Sequence, residues 1–584
     1  MHRLIALLTL LMLASMPAAA ESTCDVSYRI APRYDTQPRR LEVAMTFAAE
    51  RRFESWLRLQ VGWAGIQDYG QTWRPSPEQP SGVTVTPEDT HRWQVTHAPE
   101  GLVTVRYQIL AALPDPDDGK VQDQEQMYRT QIGADWFQFF GYGALPSVES
   151  FDDRRVGRMC VTLVQPEGQV GPLIGSDLNG RVQADAQISL QDSHAGLRHA
   201  FYGGGPGWRV ERREGPGGAV IVASRGTQAA PDVAFADSVV QLISAHRRFW
   251  GDTEAPKQTI VRIPNNGWNN GGTLVRQTAV LHVSRDFGPH NAAFESLIGH
   301  ENLHQWMPGR LGGRQNDSPE QAAHHSWLSE GFTDYYTHRL LLGAGVWTLD
   351  QYAEQLTQVF RKYWRSPERH ATADSIAPRF FSDRAAGSQM YVRGEWLAMT
   401  WDRALREQDP SGLDGVLRGL LLTRQQAMKA GAAHERVLAA LTTRLGDAPR
   451  QQVKATVEEG RGLALEEGLA GPCFTVGWAD VPRWAPGFDV SKIKGGPPVV
   501  ATGVIPQGPA AQAGLKEGMM LKGWSIFGGE VTKEIELNVT VDGETKTLRY
   551  LPVDGTFERL PLLSVRAGAG SDAACQQWIR RPRS

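Results

Sequence analysis

The sequence has almost no net charge and no long hydrophobic run beyond its amino terminus. Its 584 residues include 61 Lys and Arg against 64 Asp and Glu, a formal net charge of −3. This balance gives no indication of binding to nucleic acid or to an anionic membrane surface. The apolar runs after the amino terminus are too short to cross a bilayer, so we expect no stable membrane insertion. A chain of this length is expected to form three or more domains.

The amino terminus has the pattern of a targeting segment. A basic start at residues 1–3 precedes an apolar run at 4–16, and the small residues at 17–20 offer a cleavage site. We therefore expect a cleaved signal peptide at residues 1–20 and an exported mature protein. A retained anchor is the alternative, and Cys24 lacks the sequence context of a lipid anchor.

Cysteine is scarce, with four residues in the whole chain. Export favours disulfides, and four cysteines allow three pairings. Cys24 and Cys160 fall in the first predicted domain, and Cys473 and Cys575 flank the last one. We therefore expect the bridges Cys24–Cys160 and Cys473–Cys575, with free buried thiols as the alternative.

The most informative motif is His-Glu-Asn-Leu-His at 300–304. On a helix, His300 and His304 are one turn apart and face the same way, so both imidazoles can bind one ion. Glu301 lies beside them and can take a proton from a metal-bound water. The flanking residues favour a partly buried helix that ends at Pro308-Gly309. The motif therefore predicts a catalytic zinc site.

Glu330 is the predicted third ligand. A catalytic zinc site keeps three protein ligands and one open position. Glu330 lies in an apolar, aromatic helical segment at 327–336, where an unpaired carboxylate would be unfavourable. His324 and His325 are competing ligands, but they precede this helix and lack the spacing of one turn.

Asp334 is a candidate supporting residue, one turn after Glu330. Its carboxylate could accept the free N–H of a zinc-bound imidazole and fix the tautomer of that ring. The alternative interpretation is a position on a solvated face of the helix.

Two motifs together resemble a known family. His-Glu-x-x-His-x-Trp at 300–306 and Glu-Gly-Phe-Thr-x-Tyr-Tyr at 330–336 are similar to those of the glycyl aminopeptidases, which are thermolysin-like gluzincin metallopeptidases. The resemblance also takes in an N-terminal β domain and a C-terminal PDZ domain. It implies one Zn²⁺ held by the two histidines and Glu330, with Glu301 as general base and acid. It also favours a bacterial periplasm as the compartment.

The resemblance also makes Tyr391 a catalytic candidate. Tyr-x-basic-Gly at 391–394 is similar to a family motif whose tyrosine hydroxyl stabilises the tetrahedral oxyanion. A phenol can donate a hydrogen bond to the negative charge that develops beside zinc. Arg393 and Gly394 are candidate substrate contacts in the same motif. Without the resemblance, this tyrosine would be interpreted as a packing residue.

The sequence departs from the family on the strand before the zinc helix. The family carries Gly-Gly-Leu-Glu-His there, and its Glu is a candidate for holding the amino terminus of the substrate. The matching residues 271–275 are Gly-Gly-Thr-Leu-Val. Gly271 and Gly272 remain candidate substrate contacts, but the acid near Leu274 is missing. Met307 also stands where the family often has Asn.

The predicted fold is a multidomain α+β protein. Alternating polar and apolar residues at 41–47 and 103–107 predict antiparallel strands, and residues 259–263 and 279–283 predict strands ahead of the zinc helix. The expected order is a signal peptide (1–20), an N-terminal β domain (21–200), a thermolysin-like mixed α/β catalytic domain (225–345), its helical continuation (346–468) and a barrel-like PDZ domain (473–575).

The C-terminal segment carries the PDZ resemblance. Pro-Ala-Ala-Gln-Ala-Gly-Leu-Lys-Glu-Gly at 509–518 is similar to PDZ domains of bacterial periplasmic proteases. Backbone N–H groups in the loop of Gly487 and Phe488 are expected to hold a terminal carboxylate beside a strand edge. A packing domain without a ligand is the alternative.

The sequence therefore predicts a zinc metallopeptidase, and the resemblance implies that it removes small N-terminal residues, Gly or Ala. Its expected partners are peptide or protein substrates and a C-terminal peptide in the PDZ groove. One alternative is a periplasmic endopeptidase that grips unfolded exported proteins by their tails. Another is a non-catalytic PDZ protein that binds peptides.

Overall fold

The structure is a computed structural model. It describes residues 24–579 with the following gaps: 63–65, 67, 114–123, 152–155, 176–177, 179–180, 184, 194–195, 197, 252–257, 266–269, 285–287, 289–291, 313–318, 428–429, 496–497 and 542. The predicted signal peptide, residues 1–20, lies outside the described residues.

The chain divides into two compact units. The first comprises Met1–Arg247 and Asp252–Asn302, and the second comprises Arg248–Gly251 and Leu303–Ser584. The division falls inside the continuous helix Ala292–Leu303, which carries the motif at 300–304. The five predicted segments stay a prediction.

The first unit is rich in β structure. Its strands are β1 (Val26–Arg33), β2 (Arg40–Ala48), β3 (Glu54–Arg58), β4 (Trp73–Pro75), β5 (Thr84–Pro87), β6 (Arg92–Thr96), β7 (Leu102–Leu110), β8 (Gln131–Ile132), β9 (Phe137–Phe140), β10 (Ser147–Val148), β11 (Val156–Val164), β12 (Gly171–Ile174), β13 (Arg181–Gln183), β14 (Asp185–Ser193), β15 (Phe201–Gly204), β16 (Trp208–Arg213), β17 (Val220–Arg225), β18 (Gln258–Pro264), β19 (Gly271–Val275) and β20 (Thr278–Val283). Its helices are α1 (Gln124–Tyr128), most of α2 (Asp232–Trp250), and α3 (Ala292–Leu303) as far as Asn302.

A six-stranded sheet, ordered β14-β11-β1-β2-β7-β4, forms the amino-terminal part of this unit. In β1, β2 and β7 every second side chain is buried, because successive side chains of a strand point to opposite faces. The strands predicted at 41–47 and 103–107 lie inside β2 and β7, so both predictions are confirmed. The predicted Cys24–Cys160 disulfide is present.

A five-stranded sheet, ordered β16-β17-β18-β20-β19, leads to α3. Strands β17, β18 and β20 are parallel and buried almost throughout, as expected for strands covered on both faces. Strand β19 lies at the edge and pairs antiparallel with β20. The predicted strands 259–263 and 279–283 correspond to β18 and β20.

The second unit begins with helices. They are α4 (Pro319–His324), α5 (Thr333–Gly343), α6 (Leu349–Arg365), α7 (Ala373–Ile376), α8 (Arg384–Arg406), α9 (Gly412–Leu420), α10 (Arg424–Ala427), α11 (Ala433–Leu445) and α12 (Ala448–Val453), with π-helical segments at Trp327–Phe332 and Lys454–Glu458. Helix α5 follows the first π-helical segment directly.

The C-terminal part of this unit is mainly β structure. It contains β21 (Phe474–Trp484), β22 (Val499–Val500), α13 (Pro509–Gln512), β23 (Met520–Ser525), β24 (Ile535–Val541), β25 (Glu544–Tyr550), β26 (Val553–Val565) and α14 (Ala573–Ile579). Strands β21 and β26 pair antiparallel, and the other four form a sheet ordered β22-β23-β24-β25. The predicted Cys473–Cys575 disulfide is present.

The multidomain α+β class is therefore confirmed, while the barrel-like PDZ fold stays a prediction. The side chain of Phe488 is 5% exposed and packs with Leu515 and Leu521 in the core of the C-terminal sheet. Residues 526–534, between β23 and β24, form turns and coil. Over the described residues, none of the helices is long and apolar enough to span a membrane.

Candidate metal centre

Three predicted ligands converge on one point. Ligand atoms of His300, His304 and Glu330 all lie within 4.8 Å of one another. His300 lies in the last turn of α3, His304 directly follows the end of that helix, and Glu330 comes from the π-helical segment Trp327–Phe332. Across the described part of the chain, this is the one group of three or more His, Cys, Asp or Glu residues that could hold a metal ion.

A neighbouring hydroxyl orients the carboxylate of Glu330. The Oγ of Ser329 donates to Glu330 Oε1 at 3.1 Å. The other oxygen, Oε2, lies 3.4 Å from His304 Nε2. Glu330 therefore has one oxygen engaged by Ser329 and the other facing the histidine. Both residues lie in π-helical backbone, a distortion that is frequent at functional sites.

A backbone carbonyl fixes the tautomer of His304. Its Nδ1 lies 3.0 Å from the carbonyl oxygen of Met307. Because a carbonyl can only accept, Nδ1 carries the proton and the lone pair of Nε2 faces Glu330. A partner of this kind orients a metal-binding imidazole. The sequence suggested Asp334 for this role; the structure gives it to Met307 for His304, and a partnership of Asp334 with His300 stays a prediction.

Two glycines let the Glu330 segment approach α8 closely. A Cβ atom on Gly331 would lie 2.7 Å from the carbonyl oxygen of Tyr391 and 2.8 Å from the amide nitrogen of Glu395. A Cβ atom on Gly394 would lie 2.9 Å from the Cα of Gly331 and would collide with the carbonyl oxygen of Trp327. The backbones are therefore in direct contact, and Tyr391 is held beside the segment that carries the third ligand.

The same geometry gives structural contacts to Arg393 and Gly394, the two substrate contacts predicted on α8. Gly394 lies where α8 contacts the π-helical segment Trp327–Phe332. The Arg393 side chain is fully buried, and its guanidinium donates to the carbonyls of Arg369 and Ala371 at 3.2 and 2.7 Å. Both residues therefore have structural roles inside the second unit. Tyr391 is half-buried and stacks on Phe380, with 6.3 Å between ring centroids.

A buried pair joins the helices of Glu330 and Tyr391 further along. His338 Nδ1 on α5 lies 2.6 Å from Glu395 Oε1 on α8, and the two side chains are 3% and 1% exposed. Burial raises the pKa of Glu395, with an opposing effect from His338. The pair reinforces the contact that the two glycines allow.

Glu301, the predicted base, lies against the edge strand β19. Its side chain is 7% exposed. A Cβ atom on Gly272 would lie 2.9 Å from Glu301 Cγ and 3.1 Å from its Cδ. A Cβ atom on Gly271 would meet nothing within 4 Å. Gly272 is therefore required for the packing of Glu301, whereas Gly271 borders open space.

Tyr128 is a neighbour of this site that sequence reasoning missed. Its hydroxyl lies 3.4 Å from the carbonyl oxygen of Gly272. Burial, and then the charge of Glu301, raise the pKa of Tyr128. No local motif marks this tyrosine, because it is brought to Glu301 from α1, more than 140 residues away in sequence.

Helix α3 is also fixed from its other neighbours in the first unit. Asn302 Nδ2 donates to His246 Nδ1 on α2 at 2.5 Å, and both side chains are buried. Burial lowers the pKa of His246 to about 3, so the ring is neutral at pH 7. This hydrogen bond fixes the rotation of α3 about its axis, close to His300 and Glu301.

The competing histidines lie outside the cluster. His324 Nε2 contacts Asp374 at 3.3 Å. His325 stacks on His434, with 3.6 Å between ring centroids. Glu330 is therefore the third member of the group that the structure assembles.

Two histidines one turn apart, a distant glutamate and a second glutamate beside the first histidine are the residues that the sequence predicted for a zinc peptidase site. Residues 293–388 match the model of the M61 glycyl aminopeptidase family. The match spans the three clustered residues and ends before Tyr391. It confirms the peptidase predicted from the sequence and supports zinc aminopeptidase activity. The search of curated proteins gave no match.

Solved structures show a similar fold. An aminopeptidase N family protein from Idiomarina loihiensis has a TM-score of 0.67 at 17% identity, covering 95% of this chain and 100% of its own. An M1 zinc metallopeptidase from Deinococcus radiodurans has a TM-score of 0.48 at 14% identity, covering 76% and 95%. The similarity to the Idiomarina loihiensis protein is one of fold alone.

Proposed function

We propose that this chain is a zinc-dependent aminopeptidase that removes small N-terminal residues, Gly or Ala. The observation that carries the proposal is the convergence of His300, His304 and Glu330. The match of residues 293–388 to the glycyl aminopeptidase family supports the same activity.

The donor set suits a catalytic zinc ion. Two imidazoles and one carboxylate are a ligand set of zinc hydrolases, which keep a fourth position open for water or substrate. Ser329 and Met307 already orient Glu330 and His304 for such a role. When bound there, zinc would polarise the scissile carbonyl and lower the pKa of a water molecule.

The chain's own residues would move the protons. We assign Glu301 as the base that takes a proton from the attacking water and later delivers it to the leaving amine. The Tyr391 hydroxyl would donate a hydrogen bond to the oxyanion of the tetrahedral intermediate. Packing against Gly272 holds Glu301 in place. Contact of α8 with Gly331 holds Tyr391 beside the Glu330 segment.

The amino-terminal end of the substrate would lie beside the edge strand β19. Gly271 and Gly272 lie on this strand, and Gly272 contacts Glu301. This contact supports their assignment as substrate-binding residues.

The location of the protein and the role of its C-terminal segment belong to the same proposal. We propose that the protein is exported, to a bacterial periplasm or beyond, and its two disulfides are compatible with that location. We also keep the PDZ interpretation of residues 473–575, in which the loop of Gly487 and Phe488 binds a C-terminal carboxylate. The burial of Phe488 means that such binding would use backbone N–H groups, since its ring fills the core.

Peptides with free and blocked amino termini test the function. Zinc-loaded protein should cleave Gly- and Ala-initiated peptides and spare their N-acetylated copies. A chelator should abolish the activity and added zinc should restore it. Cleavage of the blocked peptides would indicate an endopeptidase, and no cleavage of either set would favour a binding protein.

A pair of histidine variants provides the matched control. His304→Ala should lose both zinc and activity, because it removes one of three clustered ligands. His324→Ala should keep both, because that ring contacts Asp374 outside the cluster. Equal zinc content in the two variants would contradict the proposed site.

A further inference from the structure

The free edge of β19 is covered at two consecutive outward-facing positions. Val275 pairs with Thr278 across a two-residue turn, in which Arg276 has φ of 53°. Antiparallel pairs alternate between hydrogen-bonded and non-hydrogen-bonded positions. Counting back from this turn, Gly272 and Leu274 are non-hydrogen-bonded, so their backbone groups point away from β20 and towards the free edge.

Side chains from earlier in the first unit occupy both of these carbonyls. The Tyr128 hydroxyl lies 3.4 Å from the oxygen of Gly272. His199 Nε2 lies 3.2 Å from the oxygen of Leu274. The Tyr142 hydroxyl, 3.1 Å from His199 Nδ1, completes the set. Because a carbonyl only accepts, His199 donates through Nε2 and its Nδ1 accepts from Tyr142.

The Tyr128 side chain is held firmly in this position. It is 7% exposed, and its ring contacts Phe140 and His282 with centroid separations of 5.3 and 5.1 Å. A peptide that adds to a strand edge bonds to the outward-facing backbone groups of that strand. At Gly272 and Leu274 the acceptors are already engaged by Tyr128 and His199, so a peptide cannot pair with β19 at these two positions.

We propose that Tyr128 and His199 form the closed end of the substrate groove and restrict cleavage to the amino-terminal residue. Glu301 packs on Gly272, so the covered stretch begins beside the predicted base. An aminopeptidase needs its groove to end just beyond the substrate's first residue. Here two side chains close the groove by their bulk, on a strand that lacks an acid near Leu274. The inference rests on the proposed aminopeptidase function and specifies how it selects chain ends.

The test compares kcat/KM for a free peptide, its N-acetylated copy and a copy extended at its carboxyl end. In the double variant Tyr128→Ala/His199→Ala, the ratio of kcat/KM for the N-acetylated peptide to kcat/KM for the free peptide should rise at least tenfold. The main cause should be a lower KM for the N-acetylated peptide. The preference for the carboxyl-extended copy should not change. Tyr34→Ala, which removes a half-buried tyrosine elsewhere in this unit, should leave all ratios unchanged.

An unchanged ratio in a folded double variant would overturn the proposal, as would a gain confined to the carboxyl-extended copy. If the double variant unfolds, His199→Ala alone should still raise the ratio, because this side chain is only half-buried. Failure of the aminopeptidase proposal itself would appear differently, as wild-type protein that cleaves no peptide.

Binding separates those two failures. In a Glu301→Gln background, which removes the predicted base, the affinity for the N-acetylated peptide is measured with and without Tyr128→Ala/His199→Ala. Opening the groove should tighten binding at least tenfold, whether or not wild-type protein is active. Equal affinities would reject the closed end.

Discussion

Replacing Gly394 with alanine should weaken metal binding without touching a ligand. A Cβ atom at this position would lie 2.7 Å from the carbonyl carbon of Trp327 and 2.9 Å from the Cα of Gly331. Carbon atoms pack at about 3.5–4.0 Å, and the Cβ atom would also collide with the carbonyl oxygen of Trp327. The Glu330 segment must therefore move away from α8 by at least about 1 Å. Zinc ligands tolerate displacements of about 0.2 Å. We therefore expect zinc affinity to fall at least roughly tenfold, the range seen when support of a ligand is lost.

Stability should change in the same experiment. Forcing an extra methyl group into a packed contact destabilises by about 1–3 kcal/mol, and the better helix propensity of alanine returns up to about 1 kcal/mol. We expect a net loss of about 1–2 kcal/mol in the free energy of unfolding. The matched control is Gly419→Ala on α9, where a Cβ atom meets nothing within 4 Å. That variant should gain about 0.5–1 kcal/mol.

Zinc competition with a chromophoric chelator and denaturant unfolding measure the two effects. Gly394→Ala protein that binds zinc as tightly as the wild type and is no less stable would contradict this prediction. An equal loss of zinc by Gly419→Ala would also contradict it, since the effect would then not depend on the contact between α8 and the Glu330 segment.

Three further predictions follow from single contacts. Ser329→Ala removes the hydroxyl that engages one oxygen of Glu330 and should weaken zinc affinity roughly tenfold in the same competition assay. Gly272→Ala should lower kcat while zinc content stays constant, because the added methyl group would displace Glu301. His246 is neutral in the folded state, with its pKa lowered to about 3, and takes up a proton on unfolding below about pH 6.5. The free energy of unfolding therefore falls by about 1.4 kcal/mol per pH unit as the pH drops below that value. Denaturant unfolding of His246→Leu should show a smaller loss of stability per pH unit in acid. An unchanged pH dependence would contradict a neutral His246 in the folded state.

The site was predictable where the chemistry follows helical spacing. His300 and His304 are one turn apart in sequence, so their convergence needed only a helix. Glu330 could be chosen because a carboxylate is unusual in an aromatic helical segment. Ser329 and Met307 were missed, since their contacts depend on π-helical backbone and on a carbonyl after the helix end, which no residue pattern specifies.

Long-range packing explains the other differences. Arg393 belongs to a motif that suggested substrate contact, but its guanidinium donates to backbone carbonyls within the second unit. Gly394 was expected near substrate and instead allows two helical segments to touch. Tyr128 and His199 lie far from β19 in sequence and could be placed beside it only by the fold.

The β structure was the easiest part of the fold to predict. Alternation in β2 and β7 reflects burial of one face, which the amino-acid order records directly. Strand β19 was expected from the family resemblance and not from alternation, because its two glycines also suit a turn. The structure resolves it as an edge strand whose glycine packs on Glu301.

Turnover by Glu301→Gln protein that carries one zinc ion per chain tests the central claim most directly. The substitution keeps the shape of the side chain and leaves the three clustered ligands in place, but it removes the carboxylate that would accept the proton. We predict unchanged zinc content and a loss of peptide hydrolysis of roughly 10²–10⁴-fold, the contribution expected of a general base. Hydrolysis at the wild-type rate by the zinc-loaded variant would contradict it.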